Sequence, residues 1–137
     1  MKKILLLITI LMGATFVGQS NAQTVSSGTG DPTVVLFYAN WCGSCKILEP
    51  KLKTAMSNIQ SPNIKKIVLD MTDDAAKTKS MDLAKKRGLM DIYNAYAPKT
   101  GVAILVDADG KKIDVLKKND TVADMESALR SLSEQTS

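Results

Sequence analysis

Apolar positions along this chain change period several times, and each change marks an element. Residues 33–39 (Thr-Val-Val-Leu-Phe-Tyr-Ala) are β-branched, apolar or aromatic with no polar alternation, which predicts a central strand covered on both faces. From Lys46 to Ile59 the pattern turns helical: Leu48, Leu52, Ala55, Met56 and Ile59, with Cys45 before them, fall close to one face. Pro50 lies inside that pattern and predicts a kink. Ser61-Pro62-Asn63 ends the element, and residues 64–70 read as a second strand with Ile67-Val68-Leu69 as its buried centre. Thr72-Asp73-Asp74 is a helix start for a segment reaching Arg87, with Gly88 as its stop. Residues 89–100 carry the weakest pattern. Met90, Tyr93 and Ala97, with Ile92 and Tyr96, allow a short helix that ends before Pro98.

The remainder is plainer. Residues 102–106 form a compact apolar strand, Ala108-Asp109-Gly110 is turn chemistry, and residues 111–116 alternate with Ile113 and Val115 on one face, as in an exposed outer hairpin strand. Thr121 opens the last helix, with Asp124 completing a variant capping box and Val122, Met125, Leu129 and Leu132 forming its apolar stripe. The order β-α-β-α-β-β-α predicts an α/β fold: one mixed sheet with helices on both faces.

The first 22 residues do not fit this domain. Lys2-Lys3 precede a mostly apolar run over residues 4–17, and Ser20-Asn21-Ala22 supplies small residues at a cleavage site. This is the pattern of a secretory signal peptide removed after Ala22, and the run is shorter than the roughly 20 residues of a spanning helix. The start has no twin arginine, which points to the general export route, and no cysteine near the cleavage point could carry a lipid. Residues 23–32 are small and polar and read as a flexible lead-in to a domain over residues 33–137. The chain as a whole has 18 basic and 14 acidic residues; without Lys2 and Lys3 the balance is +2. That balance gives no reason to expect a nucleic-acid partner. The absence of histidine rules out imidazole triads and imidazole metal ligands, and two cysteines are too few for a disulfide scaffold. The scattered methionines at 56, 71, 81, 90 and 125 read as core filler, with no copper site among them.

Chemistry concentrates in Phe37-Tyr38-Ala39-Asn40-Trp41-Cys42-Gly43-Ser44-Cys45-Lys46, which holds both cysteines and the one tryptophan. If a helix opens just after Cys42, the two sulfurs lie one turn apart, and Cα atoms about 5–6 Å apart suit a reversible disulfide. The helix terminus offers unpaired N–H groups and positive potential to a Cys42 thiolate. Cys42 is therefore the expected nucleophile and Cys45, inside the helix, the resolving thiol. A bridge closing about four residues would add only roughly 2 kcal/mol on the chain-entropy estimate, a small return for a structural staple. The competing readings are a metal-binding, chaperone-like module and a redox-inert binding module; two cysteines alone are short of the four ligands of a closed zinc site.

The run from Val34 to Lys46, with Pro50 at the helix-kink position and Leu83-Ala84-Lys85-Lys86-Arg87-Gly88-Leu89 further on, resembles the thioredoxin family over residues 33–134. The wording Tyr-Ala-Asn-Trp-Cys is similar to exported members that handle disulfides. The resemblance implies a minimal thioredoxin-like fold, without the family's extra first strand and helix, and a thiol–disulfide oxidoreductase acting as a reductant on protein disulfides. It also implies a monomer in the periplasm, re-reduced by a membrane-bound partner, that needs neither cofactor nor metal. By the same resemblance Trp41, Gly43, Ser44, Gly101 and Val102 would face substrate.

Three departures stand out. Ser44 replaces the usual proline between the cysteines. Leu36 stands where cytoplasmic members carry a buried aspartate. Counting back from Gly110, the family's cis-proline position falls near Gly101 or Val102, whereas the nearest proline is Pro98, so either Pro98 serves after a loop shift or the cis-proline is absent. Residues 90–100 read as an insertion beside that position.

Overall fold

A computed structural model describes residues 30–61 and 63–135. The predicted signal peptide, and the lead-in as far as residue 29, lie outside these residues. Eight elements follow in order: β1 (Thr33–Tyr38), α1 (Gly43–Ile59), β2 (Lys65–Asp70), α2 (Asp74–Lys86), α3 (Met90–Tyr96), β3 (Val102–Val106), β4 (Lys112–Lys117) and α4 (Val122–Glu134). The four strands form one mixed sheet in the order β2-β1-β3-β4. β1 runs parallel to β2 and antiparallel to β3, and β3 runs antiparallel to β4.

β1 is central because both its faces are apolar. Val34 and Leu36 join Leu48 and Leu52 of α1 and Met125, Leu129 and Leu132 of α4 in one core layer. Val35 and Phe37 join Ile67, Leu69, Ala84 and Ile92 in the other, with α2 and α3 over it. A two-period strand facing two apolar layers is therefore buried along nearly its whole length. The carboxyl end of β1 leads directly into the cysteine turn, and β3 begins beside it: Phe37 pairs with Val102.

Two expectations from sequence are corrected, at Val68 and in β4. Val68 is not at a buried centre. It is 39% exposed, because β2 is an edge strand and only Ile67 and Leu69 on the α2 side are covered. The helix start predicted at Thr72-Asp73-Asp74 forms, with Asp73 as the N-cap of α2, accepting the Ala76 N–H at 2.8 Å, and Thr72 has other partners described below. α1 opens at Gly43, directly after Cys42 as the cysteine spacing requires, and continues through Pro50 to Ile59. In β4 Ile113 and Val115 do not share a face: a register shift between Leu105 and Val106 of β3 turns Ile113 to the α4 side with the buried Leu116, and Val115 packs against the other layer. The capping box at Thr121 and Asp124 forms as the sequence predicts.

Candidate active site

The chain leaves β1, turns tightly through Asn40 and Trp41, with Cys42 N–H donating to Ala39 O at 3.1 Å, and enters α1. Cys42 is the N-cap of that helix in an extended conformation, and its Sγ accepts the backbone N–H of Cys45 at 3.1 Å. Sulfur thus stands where serine or aspartate oxygen usually caps a helix, receiving one of the N–H groups the first turn leaves unpaired. No acidic residue lies in that first turn to offset the positive end of the dipole. Cys42 and Cys45 form a disulfide with Cα atoms 5.3 Å apart, within the range expected from spacing alone. Their exposures differ as the assigned roles require: Cys42 retains 6% and Cys45 none. Cys45 Sγ lies 3.8 Å from the Phe37 carbonyl oxygen, an acceptor for its proton when the pair is reduced.

The approach of β3 completes the site from the other side. Gly101 is buried, with φ +75, and its N–H donates to Phe37 O at 2.9 Å. That carbonyl therefore serves both the β3 lead-in and Cys45. A Cβ at Gly101 would meet Ser44 Cβ at 2.6 Å and Cys42 Sγ at 3.4 Å. The backbone at the counted position is thus pressed against the cysteine turn, and only glycine permits it. Pro98 is the cis-proline, through the Ala97–Pro98 bond, and it lies in the exposed segment that leads to this contact. The two features expected of one residue, a cis-proline and contact with the cysteines, are here divided between Pro98 and Gly101.

Of the other predicted contacts, Trp41 is 62% exposed beside Cys42, Gly43 is exposed, and Ser44 and Val102 are half-buried. Tyr93 and Tyr96 of α3 pack against the layer below. Both are partly buried against the α2–α3 layer; the Tyr96 ring lies 5.9 Å from Phe37, and Tyr93 donates to Lys77 O at 3.4 Å. α3 buries Ile92 in the same cluster as the cysteines. Lys46 is exposed. Among the described residues no three or more His, Cys, Asp or Glu side chains converge as metal ligands.

Sequence reasoning missed a group of polar residues. Asn40 N–H donates to Thr72 Oγ1 at 3.0 Å, and the Trp41 indole Nε1–H donates to Thr72 O at 3.1 Å. Thr72 in turn gives both its N–H, at 2.8 Å, and its hydroxyl to Asp70 Oδ1. An aspartate two residues before a threonine at a strand end was the available local signal. The partners lie more than 30 positions apart in sequence, which no local pattern reports.

The family model described as Thioredoxin matches residues 14–90, more than half of the chain. The chain belongs to the thioredoxin family. Among curated proteins it is similar to the protein disulfide-isomerase A6 homolog of Caenorhabditis elegans, 32% identical over 91 residues, which covers 66% of this chain and 20% of that protein. It is also similar to the protein disulfide-isomerase of Humicola insolens, 33% identical over 61 residues, covering 44% and 11% respectively. This thioredoxin-family chain thus spans a fifth or less of the curated relatives' lengths. Among solved structures it shares its fold with thioredoxin 2 from Pseudomonas aeruginosa PAO1 (TM-score 0.53, 17% identity, covering 80% of this chain and 86% of that one). It also shares it with a thiol:disulfide interchange protein of the thioredoxin family from Chlorobium tepidum TLS (TM-score 0.51, 18% identity, covering 77% and 81%). The α/β, minimal thioredoxin-like reading of the sequence agrees with these.

Proposed function

We propose that this thioredoxin-family protein is an exported thiol–disulfide oxidoreductase that reduces disulfides in protein substrates. The observation that carries the reading is the Cys42–Cys45 bond across the first turn of α1, with Cys42 as the helix cap and Cys45 fully buried. In the reduced form the helix N-terminus favours a Cys42 thiolate, while Cys45 keeps its proton towards Phe37 O. The thiolate attacks one sulfur of the substrate disulfide; the other leaves as a thiolate and takes a proton from solvent. Cys45 then loses its proton and attacks Cys42 Sγ in the mixed disulfide. The second substrate thiol departs, and the protein is left oxidised. Two electrons pass to the substrate and one disulfide is exchanged for another, so no cofactor is needed.

The names of the curated relatives, protein disulfide-isomerases, and the amino-terminal sequence pattern support the choice of protein substrates and export. In a Gram-negative cell the site of action is the periplasm. There the protein works as a monomer, and a membrane-bound partner restores the dithiol. Trapping tests the mechanism: Cys45→Ser accumulates mixed disulfides with partners and Cys42→Ser does not, and the reverse pattern sinks the assignment. Equilibration with glutathione tests the direction, since a reductant has a potential well below the roughly −180 mV of an isomerase. Cell fractionation and size-exclusion chromatography test location and monomeric state.

A further inference from the structure

The loop that carries the nucleophile is fastened to the segment that follows β2, and the fastening runs through one residue. Asn40 and Trp41, the two residues before Cys42, both donate to Thr72: Asn40 to the hydroxyl at 3.0 Å, and Trp41 through its indole to the carbonyl at 3.1 Å. The proton arrangement is forced by chemistry. A carboxylate only accepts and a backbone amide only donates, so the Thr72 hydroxyl gives its proton to Asp70 and receives the Asn40 N–H on a lone pair. Asp70 also accepts the Thr72 N–H at 2.8 Å, so the peptide before Thr72 and its hydroxyl are both held, and the Thr72 carbonyl that receives Trp41 follows directly on this anchored residue. The base of the arrangement is rigid, because Asp70 ends β2 paired with Tyr38 and Met71 N–H donates to Tyr38 O at 2.7 Å.

Trp41 is 62% exposed, so burial does not orient its ring. Packing that fixes a core side chain is missing here, and the indole hydrogen bond takes its place. We propose that Thr72, held by Asp70, is a positioning residue that fixes Trp41 and the turn of Cys42 in the geometry that receives a protein disulfide. The inference rests on the oxidoreductase reading given above. It adds that recognition of a protein substrate, more than the reactivity of the cysteine pair, depends on this latch. A polypeptide passing Cys42 must lie against the indole, whereas a small disulfide need reach only the sulfur.

Three variants and two readouts test it. Thr72→Val keeps the shape and removes the hydroxyl; Thr72→Ser restores it; Asp70→Asn weakens the acceptor. Trp41 is the only tryptophan, so time-resolved fluorescence anisotropy reports its ring directly, in both redox states. Thr72→Val should shorten the slow component and raise KM for reduction of insulin by a factor of about three to ten, the scale of one lost hydrogen bond. Reduction of 5,5′-dithiobis(2-nitrobenzoate) should fall by less, and Thr72→Ser should recover both readouts. Asp70→Asn should lie between wild type and Thr72→Val. Unchanged anisotropy in Thr72→Val, equal losses on the two disulfides, or failure of Thr72→Ser to rescue would overturn the proposal. A wild-type protein that reduces neither disulfide would sink the oxidoreductase reading instead, and the anisotropy comparison would still judge the latch.

Discussion

Gly101 lies so close to Ser44 that a Cβ built on the glycine would stand 2.6 Å from the serine Cβ. The backbone at the start of β3 and the turn between the cysteines are therefore fitted to each other with no room between them. Gly101→Ala should cost about 2–4 kcal/mol, combining the left-handed conformation of a residue with a Cβ and the overpacking of the turn. In the double variant with Ser44→Gly the packing share is relieved and the conformational share stays. The two changes should therefore be non-additive by at least about 0.5 kcal/mol, as expected for residues in contact. Urea unfolding of the oxidised protein measures all corners of the cycle, and strictly additive costs would contradict the contact.

Leu36 is fully buried in β1, and among the described residues the buried polar side chains are Thr33 and Ser80 alone. No buried carboxylate is therefore present to titrate with the thiols. Alkylation of the reduced protein with iodoacetamide should follow one ionisation, that of Cys42, with its midpoint below the roughly 8.5 of a free thiol. Leu36→Asp should add a second step, with the new acid titrating above the ordinary carboxylate range because burial disfavours its charge. If Leu36→Asp does not fold, the wild-type profile still decides, since two resolved steps there would refute a single titrating group.

How much of this could be read from the chain depends on the range of the interactions involved. β3 was bounded correctly because a continuous apolar run needs no partner to declare itself. The spacing of the two cysteines was legible because one helix turn sets it. The start of α1 was legible only through that spacing, because Gly43 and Ser44 are poor helix formers and the apolar pattern begins after them. Counting placed Gly101 opposite the cysteines, but its positive φ and its contact with Ser44 arise only when β3 pairs with β1. Val68 looked buried because an apolar triplet says nothing about which strand is at an edge. The helix start at Thr72-Asp73-Asp74 was legible because capping is local, whereas the grip of Thr72 on Asn40 and Trp41 is long-range and was not.

The scaffold can be weakened without touching the cysteines. Lys51 of α1 donates from Nζ to Lys118 O at 2.8 Å and to Asp120 O at 3.1 Å, tying that helix to the turn between β4 and α4. Lys51→Met keeps most of the aliphatic stem and loses both charge-assisted bonds. Partial exposure discounts their worth to about 1 kcal/mol, a fall in Tm of roughly 4–8 °C for a domain of this size. Insulin reduction at 25 °C should be unchanged. A rate that falls with the melting temperature would mean that this turn is coupled to the site.

A pH-dependent contribution is written into the start of α4. The Asp124 carboxylate accepts the Thr121 N–H at 3.0 Å and the Thr121 hydroxyl at 2.7 Å, and these bonds hold its carboxyl below the ordinary carboxylate value, the hydroxyl bond acting most. A pKa lower in the folded than in the unfolded chain means that the unfolded chain binds the proton more readily. The stabilisation is thus complete above the unfolded value and disappears as pH falls through the folded one. The comparison of wild type with Asp124→Ala isolates this group from the other acids, which titrate alike in both. Far-UV circular dichroism melts should show a constant gap in Tm between the two proteins from about pH 8 down to pH 5, narrowing below about pH 4 as the carboxylate is neutralised. A gap that persists undiminished at pH 2.5 would show that the charge on Asp124 does not contribute, since the Thr121 Oγ1 bond to the backbone N–H of residue 124 is common to both proteins.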